Sequence, residues 1–253
     1  HHLSHAASAH FCSPFKDAAV LSVDGVGEWA TTSLWKGSKG SLEPISEVRY
    51  PHSLGLLYSA FTAHLGFVVN NGEYKVMGMS SYGEPIFKDK VWELLTLSDD
   101  GSFMLDLSYF AHHLSPTKAT TPKFLELFGE QRMPGSEFNV YSSDPKVKEE
   151  SQHFANVAAS VQSVLEDTML HLARHAKEAT GAVNLCLAGG VALNAVANMK
   201  LAEAGIFEQI FTQPAAGDAG GSLGAVLWAW NMIMSEKERG GIKPIHQGDT
   251  PFC

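Results

Sequence analysis

The chain has 253 residues, 45% hydrophobic and 18% charged, enough apolar material to bury the core of one large domain or two small ones. Its formal charge of -9 argues against broad binding to nucleic-acid phosphates. No apolar run reaches the length of about 18 residues that a membrane helix needs. Cys12, Cys186 and Cys253 form no CxxC pair and read as thiols of a reducing, cytoplasmic compartment. No signal peptide is visible, and a chain that opens on His1 inside a motif reads as a segment of a longer protein.

In chain order, His1 to Ala9 reads as the end of a helix that Ser13-Pro14 stops. The apolar run Ala18–Val23 predicts a buried strand, and Asp24-Gly25-Val26-Gly27-Glu28-Trp29 a tight turn after it. Ala30–Trp35 and Leu42–Arg49 follow as strands around a Gly37–Ser41 turn, an antiparallel start to a sheet. Ser53 to Phe67 has helical spacing, with Ser53 as its N-cap. Asn70-Asn71-Gly72 breaks it, Glu73–Gly78 lies between helices, and Tyr82–Pro85 is a turn. Val91–Leu97 reads as a helix end and Ser102–Leu107 as a strand. Residues 108–146 show little periodicity, carry four prolines and read as a variable insertion with one short helix near Phe124–Phe128.

Val147 to Thr180 is the longest helical pattern, with an apolar stripe from Phe154 to Ala176 and Gly181 as its C-cap. Strand Asn184–Ala188, helix Val191–Ala204, strand Gln209–Gln213 and helix Ser222–Ser235 then alternate. The polar tail from Glu236 to Cys253 reads as the start of a linker. The pattern predicts an α/β fold with ligands at the carboxyl ends of its strands.

His1 and His5 are four apart, which on a helix sets both imidazoles on one face. A bare HxxxH is also what a solvated, His-rich terminus shows. Asp24 follows a strand, and Asp218 sits in a glycine-lined turn on the same expected sheet edge; taken singly, each is an ordinary N-cap or turn former. Together, two imidazoles and two carboxylates suit Fe(II), Mn(II) or Zn(II) better than Mg or Ca. Gly189-Gly190-Val191-Ala192-Leu193-Asn194 is a glycine pair between strand and helix, and Gly217-Asp218-Ala219-Gly220-Gly221 repeats it one unit later. Such turns admit a phosphate at a helix N-terminus, although glycines also serve helix–sheet packing, and neither turn fits a P-loop or GxGxxG. In Asn70–Gly78, Glu73 is placed to accept from a ribose and Lys75 to neutralise a phosphate or oxyanion; a solvated Glu/Lys loop has the same composition. The remaining histidines, including His171, His175 and His246, read as surface or core residues.

HHLSHAASA, AAVLSVDGVGEWATTS, PHSLGLLYSAFTAHLGF, NNGEYKVMGM, LCLAGGVALNAVANMKL and QPAAGDAGGSLGA, in this order, resemble the O-carbamoyltransferases of nodulation-factor and antibiotic-tailoring type, from His1 to about Trp230. The resemblance implies an actin-like, sugar-kinase-like (ribonuclease H-like) mixed sheet with flanking helices, related to the universal tRNA threonylcarbamoyl-transfer protein. It implies a transfer domain over 1–235, the insertion at 108–146, and a linker over 236–253 to a downstream YrdC-like domain. The family's first strands, upstream of the histidine pair, are not in this sequence. An iron ion would fall on His1, His5, Asp24 and Asp218. Carbamoyl-adenylate, made from carbamoyl phosphate and ATP in the downstream domain, would be cradled by Gly189, Gly190, Val191 and Asn194, by Gly217 and Gly220, and by Asn70 and Gly72, with Glu73 and Lys75 in catalytic roles. The carbamoyl group would pass to a hydroxyl of a sugar or antibiotic, without nucleic acid or membrane as partner. Two other readings stand beside this one: threonylcarbamoyl transfer to tRNA, and a non-catalytic module that binds metal and nucleotide.

Overall fold

The computed structural model describes residues 1–38, 40–115, 117–235 and 237–240. The expected linker beyond these, with His246 and Cys253, lies outside the described residues. The chain forms two compact units, one of His1–Gly55, Asp99–Ser102 and the chain from Leu170 on, the other of Leu56–Ser98 and Phe103–Met169.

The first unit holds a five-stranded mixed sheet flanked by helices. Strands β1 (Ala18–Val23), β2 (Ala30–Ser38) and β3 (Ser41–Arg49) form the antiparallel start that the sequence predicts. β6 (Asn184–Ala188) then pairs parallel with β1, and β7 (Gln209–Thr212) parallel with β6, giving the order β3-β2-β1-β6-β7. The central strand β1 is buried along its whole length, which accounts for its unbroken apolar run. β3 lies at one end of this order and is mostly exposed, with Glu43, Pro44, Glu47 and Arg49, a composition that blunts an edge strand.

Helix α1 (His2–Cys12) packs on one face of the sheet, where Ala6, Ala9, Phe11 and Cys12 share a core with Val20, Cys186, Ala188 and Leu227. Each fully buried aliphatic side chain there contributes roughly 2 kcal/mol. On the other face Leu172 and His175 line a cavity of about 100 Å³ with Leu21, Thr32 and Leu34. Leu172 and His175 belong to α6 (Pro145–Thr180). After β6, a 3-10 turn at Gly190–Leu193 precedes α7 (Ala195–Glu203). After β7, a 3-10 turn at Asp218–Gly220 precedes α8 (Gly221–Trp228), which passes into a π turn at Ala229–Ile233.

The second unit is mainly helical: most of α2 (Leu54–His64), then α3 (Glu73–Ser80), α4 (Lys88–Trp92), α5 (Pro122–Phe128) and the first part of α6. The structure corrects two expectations here. Val91–Leu97 is not one helix end: the helix stops at Trp92, and Leu95–Leu97 is strand β4, paired with β5 (Phe103–Leu105). Leu-Thr-Leu alternates, but three residues are too few to reveal period two in a sequence. Glu73–Gly78 is not a connector between helices but the body of α3. The segment 108–146 also supplies core: Phe110, Phe124 and Phe128 are fully buried, and Phe61 meets Phe124 and Phe128 edge-on at 5.0 Å each. Among the described residues no helix is long and apolar enough to cross a membrane.

Candidate metal centre at the carboxyl edge of the sheet

Helix α1 is rich in alanine, the best helix former, and is short enough in side chain to be buried on nearly every face. It ends at Ser13, whose hydroxyl donates to the His10 carbonyl at 3.0 Å. Its first turn sets His1 and His5 side by side, with their Nε2 atoms 3.0 Å apart. Asp24, the residue after β1, points Oδ2 at both, 3.1 Å from His1 and 3.3 Å from His5. Asp218, in the turn after β7, brings Oδ1 to 3.2 Å from His1 and 3.8 Å from His5. One ligand atom from each of the four residues lies within 4.8 Å of the others.

Donors held about 2.0–2.2 Å from a tetrahedral ion stand roughly 3.3 Å apart, so the separations of 3.0–3.3 Å fit a divalent cation, and the wider His5–Asp218 spacing of 3.8 Å needs the exposed Asp218 carboxylate to close in. Two imidazole nitrogens and two carboxylate oxygens match a borderline first-row metal. The site is graded in depth: the His5 side chain is 1% exposed, Asp24 11%, His1 29% and Asp218 80%. His5 and Asp24 therefore form the buried floor of the cluster, while Asp218 stands at its solvent-exposed mouth.

Asp24 is fixed from several sides. Its N–H donates to the Thr31 carbonyl at 2.8 Å. Its carbonyl accepts from Ser53 Oγ at 3.1 Å, and that hydroxyl also reaches the Gly25 carbonyl at 2.6 Å. Burial pushes its carboxyl up, but hydrogen bonds from His5 and from the Gly190 and Gly25 N–H groups outweigh this and hold it down to about 2. It is therefore ionised at neutral pH.

The two glycine turns lie together beside Asp24. Gly189 N–H donates to the Ala216 carbonyl at 2.7 Å, which ties one turn to the other. Gly189 has φ of 88°, and a Cβ there would lie 2.6 Å from the Val23 carbonyl carbon. Only glycine suits that combination. Gly190 N–H donates to Asp24 Oδ1 at 3.1 Å, so this turn orients the carboxylate of the cluster. Asn194 caps α7, its Oδ1 accepting from the Ala197 N–H at 3.0 Å. Val191 is buried, and Gly217 and Gly220 flank Asp218 in the second turn.

The remaining expected site residues belong to the second unit. Glu73 is the first residue of α3, and its carboxylate accepts from the Asn70 N–H at 2.9 Å, the Gly72 N–H at 3.1 Å and the Ser59 hydroxyl at 3.1 Å. Three donors on two oxygens make it a local cap. Asn70 has φ of 62°, a left-handed turn that asparagine tolerates. Lys75 Nζ lies 5.8 Å from the centroids of both Phe67 and Tyr74.

Sequence reasoning passed over His2, which is turned away from the metal face. It is buried, its Nδ1 lies 2.8 Å from Ser33 Oγ, and burial pulls it down to about 4, so it stays neutral. It also missed Gln213, which ties β7 to α1 by donating to the Ser8 carbonyl at 2.8 Å. No local spacing marks either residue.

The family model described as the carbamoyltransferase N-terminus matches residues 1–227. The chain is 50% identical over 246 residues to the uncharacterized protein sll1178 of Synechocystis sp., covering 96% of this chain and 38% of that protein. It is 36% identical over 249 residues to nodulation protein NolNO of Sinorhizobium fredii, covering 98% of this chain and 33% of that protein. Against nodulation protein NolO of Bradyrhizobium diazoefficiens the identity is 35% over 240 residues, with 94% and 39% covered. The chain thus spans between a third and two fifths of the length of these curated relatives. With 1–227 matched, and the matched region containing all four residues of the His/Asp cluster, the chain belongs to the carbamoyltransferase family.

Proposed function

We propose that this chain is the transfer module of an O-carbamoyltransferase, moving a carbamoyl group from carbamoyl-adenylate to a hydroxyl of a sugar or other natural product. The observation that carries the reading is the convergence of His1, His5, Asp24 and Asp218 within 4.8 Å on one sheet edge, in a member of this family. The sheet order, three antiparallel strands followed by two parallel ones, supports the actin-like reading of the fold.

Attack by a hydroxyl on the carbamoyl carbon builds negative charge on oxygen, and AMP departs as an anion. A divalent ion, Fe(II) in this proposal, supplies Lewis-acid stabilisation of that charge when bound. His5 and Asp24 hold their donor atoms fixed in the floor of the site. Asp24 also aligns the Gly190 turn through its second oxygen. The glycine turns let backbone approach the adenylate closely. Carbamoyl phosphate and ATP would be joined in a downstream YrdC-like domain of the same protein, with 1–235 acting as the transfer domain. The buried thiols of Cys12 and Cys186 suit a cytoplasmic setting.

The test uses the intact protein with carbamoyl phosphate, ATP and a panel of hydroxylated acceptors, reading carbamoylated product by mass spectrometry. Wild type is expected to form product, and His5→Ala and Asp218→Ala to lose both product and bound metal. Full metal content and activity in both variants would refute the site.

A further inference from the structure

We propose that Trp29, with Tyr50 opposite it, is the platform on which the ring of a carbohydrate acceptor stacks while one of its hydroxyls reaches the metal cluster. This rests on the carbamoyl-transfer reading above and narrows its acceptor to a sugar.

Trp29 is 73% exposed, Val26 44% and Tyr50 37%. One exposed apolar side chain needs no explanation, but three on one rim, two of them aromatic, do. Their position is set by backbone pairing. Asp24 N–H donates to the Thr31 carbonyl at 2.8 Å, so the start of β2 runs directly beside the metal ligand. Ala30 pairs with Arg49, and the Tyr50 N–H donates to the Trp29 carbonyl at 2.8 Å, which continues that register by one residue. Trp29 and Tyr50 are therefore opposite positions on the same face of the ladder end. Trp29 lies two residues before Thr31, so strand spacing puts its backbone roughly 8 Å from Asp24 and that of Tyr50, one strand further, roughly 12 Å.

The loop between Asp24 and Trp29 packs on the histidine helix. A Cβ on Gly27 would lie 2.8 Å from His2 Cδ2 and 3.1 Å from His1 Cβ, and the Gly27 N–H donates to the Ala30 carbonyl at 2.8 Å. Trp29 is thus presented from a loop braced against the ligand His1.

The sheet order separates two flanks. In β3-β2-β1-β6-β7, Asp24 ends the central strand and the glycine turns follow β6 and β7 on one side. Trp29 and Tyr50 stand on the other side, at the ends of β2 and β3. With the adenylate on the glycine flank, the aromatic flank is left for the acceptor. A sugar ring has an apolar C–H face and a hydroxylated edge. The C–H face suits the electron-rich face of an indole, and the polar tips of Trp and Tyr suit the edge.

The experiment uses the intact protein as wild type, Trp29→Ala and Trp29→Phe. Saturation-transfer NMR with a panel of methyl glycosides reads binding without turnover, and steady-state kinetics reads transfer. Trp29→Ala is expected to weaken glycoside binding about tenfold and raise acceptor KM about tenfold, with kcat within about twofold. Trp29→Phe restores both to within about threefold, and the KM values for carbamoyl phosphate and ATP and the metal content stay at wild-type levels. Glycoside binding that is absent from wild type, or equal in wild type and Trp29→Ala, overturns the platform. So does a rise in the KM for ATP instead of acceptor, or a loss of thermal stability that Phe does not rescue, which would mark a packing face. Trp29-dependent glycoside binding with no transfer to any acceptor upholds the platform and defeats the transfer reading.

Discussion

Gly224→Ala should loosen the metal centre without touching a metal ligand. Gly224 lies in α8 where it crosses α1, and a Cβ there would fall 2.6 Å from the Ser4 carbonyl carbon and 3.0 Å from its Cα. Non-bonded carbons settle no closer than about 3.5 Å, so one helix must move by roughly 1 Å. Neither atom met is the end of a flexible side chain. Ser4 sits between His1 and His5, so a shift of α1 moves both imidazoles away from Asp24 Oδ2, now 3.1 and 3.3 Å from them. Metal sites tolerate errors of only about 0.2 Å in ligand distance. Overpacking costs about 1–3 kcal/mol, and the better helix propensity of alanine returns about 1. The expected outcome is a net change in stability of about 0–2 kcal/mol, in the direction of loss, and a fall in metal affinity of about 10–100-fold, the range seen when groups that orient ligands are disturbed. Chelator competition on the intact protein measures the second, and thermal unfolding the first. Gly221→Ala, on the same helix with open space around its Cβ, is the control. Wild-type metal affinity in Gly224→Ala would refute the idea that this crossing sets the histidine pair.

Two further outcomes concern the second unit. His64 is 2% exposed and packs against the rings of Phe124, Phe128 and Phe154 at 5.3, 6.4 and 6.3 Å; burial, helped by His153, pulls it from 6.5 to about 4. The unfolded chain therefore takes up the proton first, and its contribution, full above pH 6.5, is lost as pH falls towards 4, by roughly 3 kcal/mol. Denaturation across that window in wild type and His64→Leu checks this: the variant should show a shallower slope, with the buried His2, also pulled down to about 4, keeping its own share. Glu73→Ala should cost about 1 kcal/mol of stability, the scale of a lost helix cap. Undiminished stability together with lost transfer would make Glu73 a reacting group instead.

The convergence of His1, His5, Asp24 and Asp218 was legible because its parts have local signatures. HxxxH on an alanine-rich helix fixes two imidazoles, and Asp24 and Asp218 each sit where a strand or a glycine turn ends. β1 and β6 were legible as buried strands from their unbroken apolar runs. Their parallel pairing was not, because the whole second unit is inserted between them and no local pattern encodes it. The glycine turns were found, but not the use of Gly190, whose N–H serves Asp24. The role of Glu73 depends on Ser59, a partner fourteen residues away on another helix. Phe110, Phe124 and Phe128 lie in a stretch without periodicity and still form core, since isolated aromatic residues can be buried without any repeat.

The central claim is that His1, His5, Asp24 and Asp218 bind one divalent metal together. X-ray absorption at the metal edge of the intact, anaerobically purified protein tests it most directly. The expected spectrum shows two imidazole nitrogens and carboxylate oxygens at about 2.0–2.2 Å, with the imidazole scattering halved in His5→Ala. A sulfur-rich shell, or a spectrum that His5→Ala leaves unchanged, would contradict it.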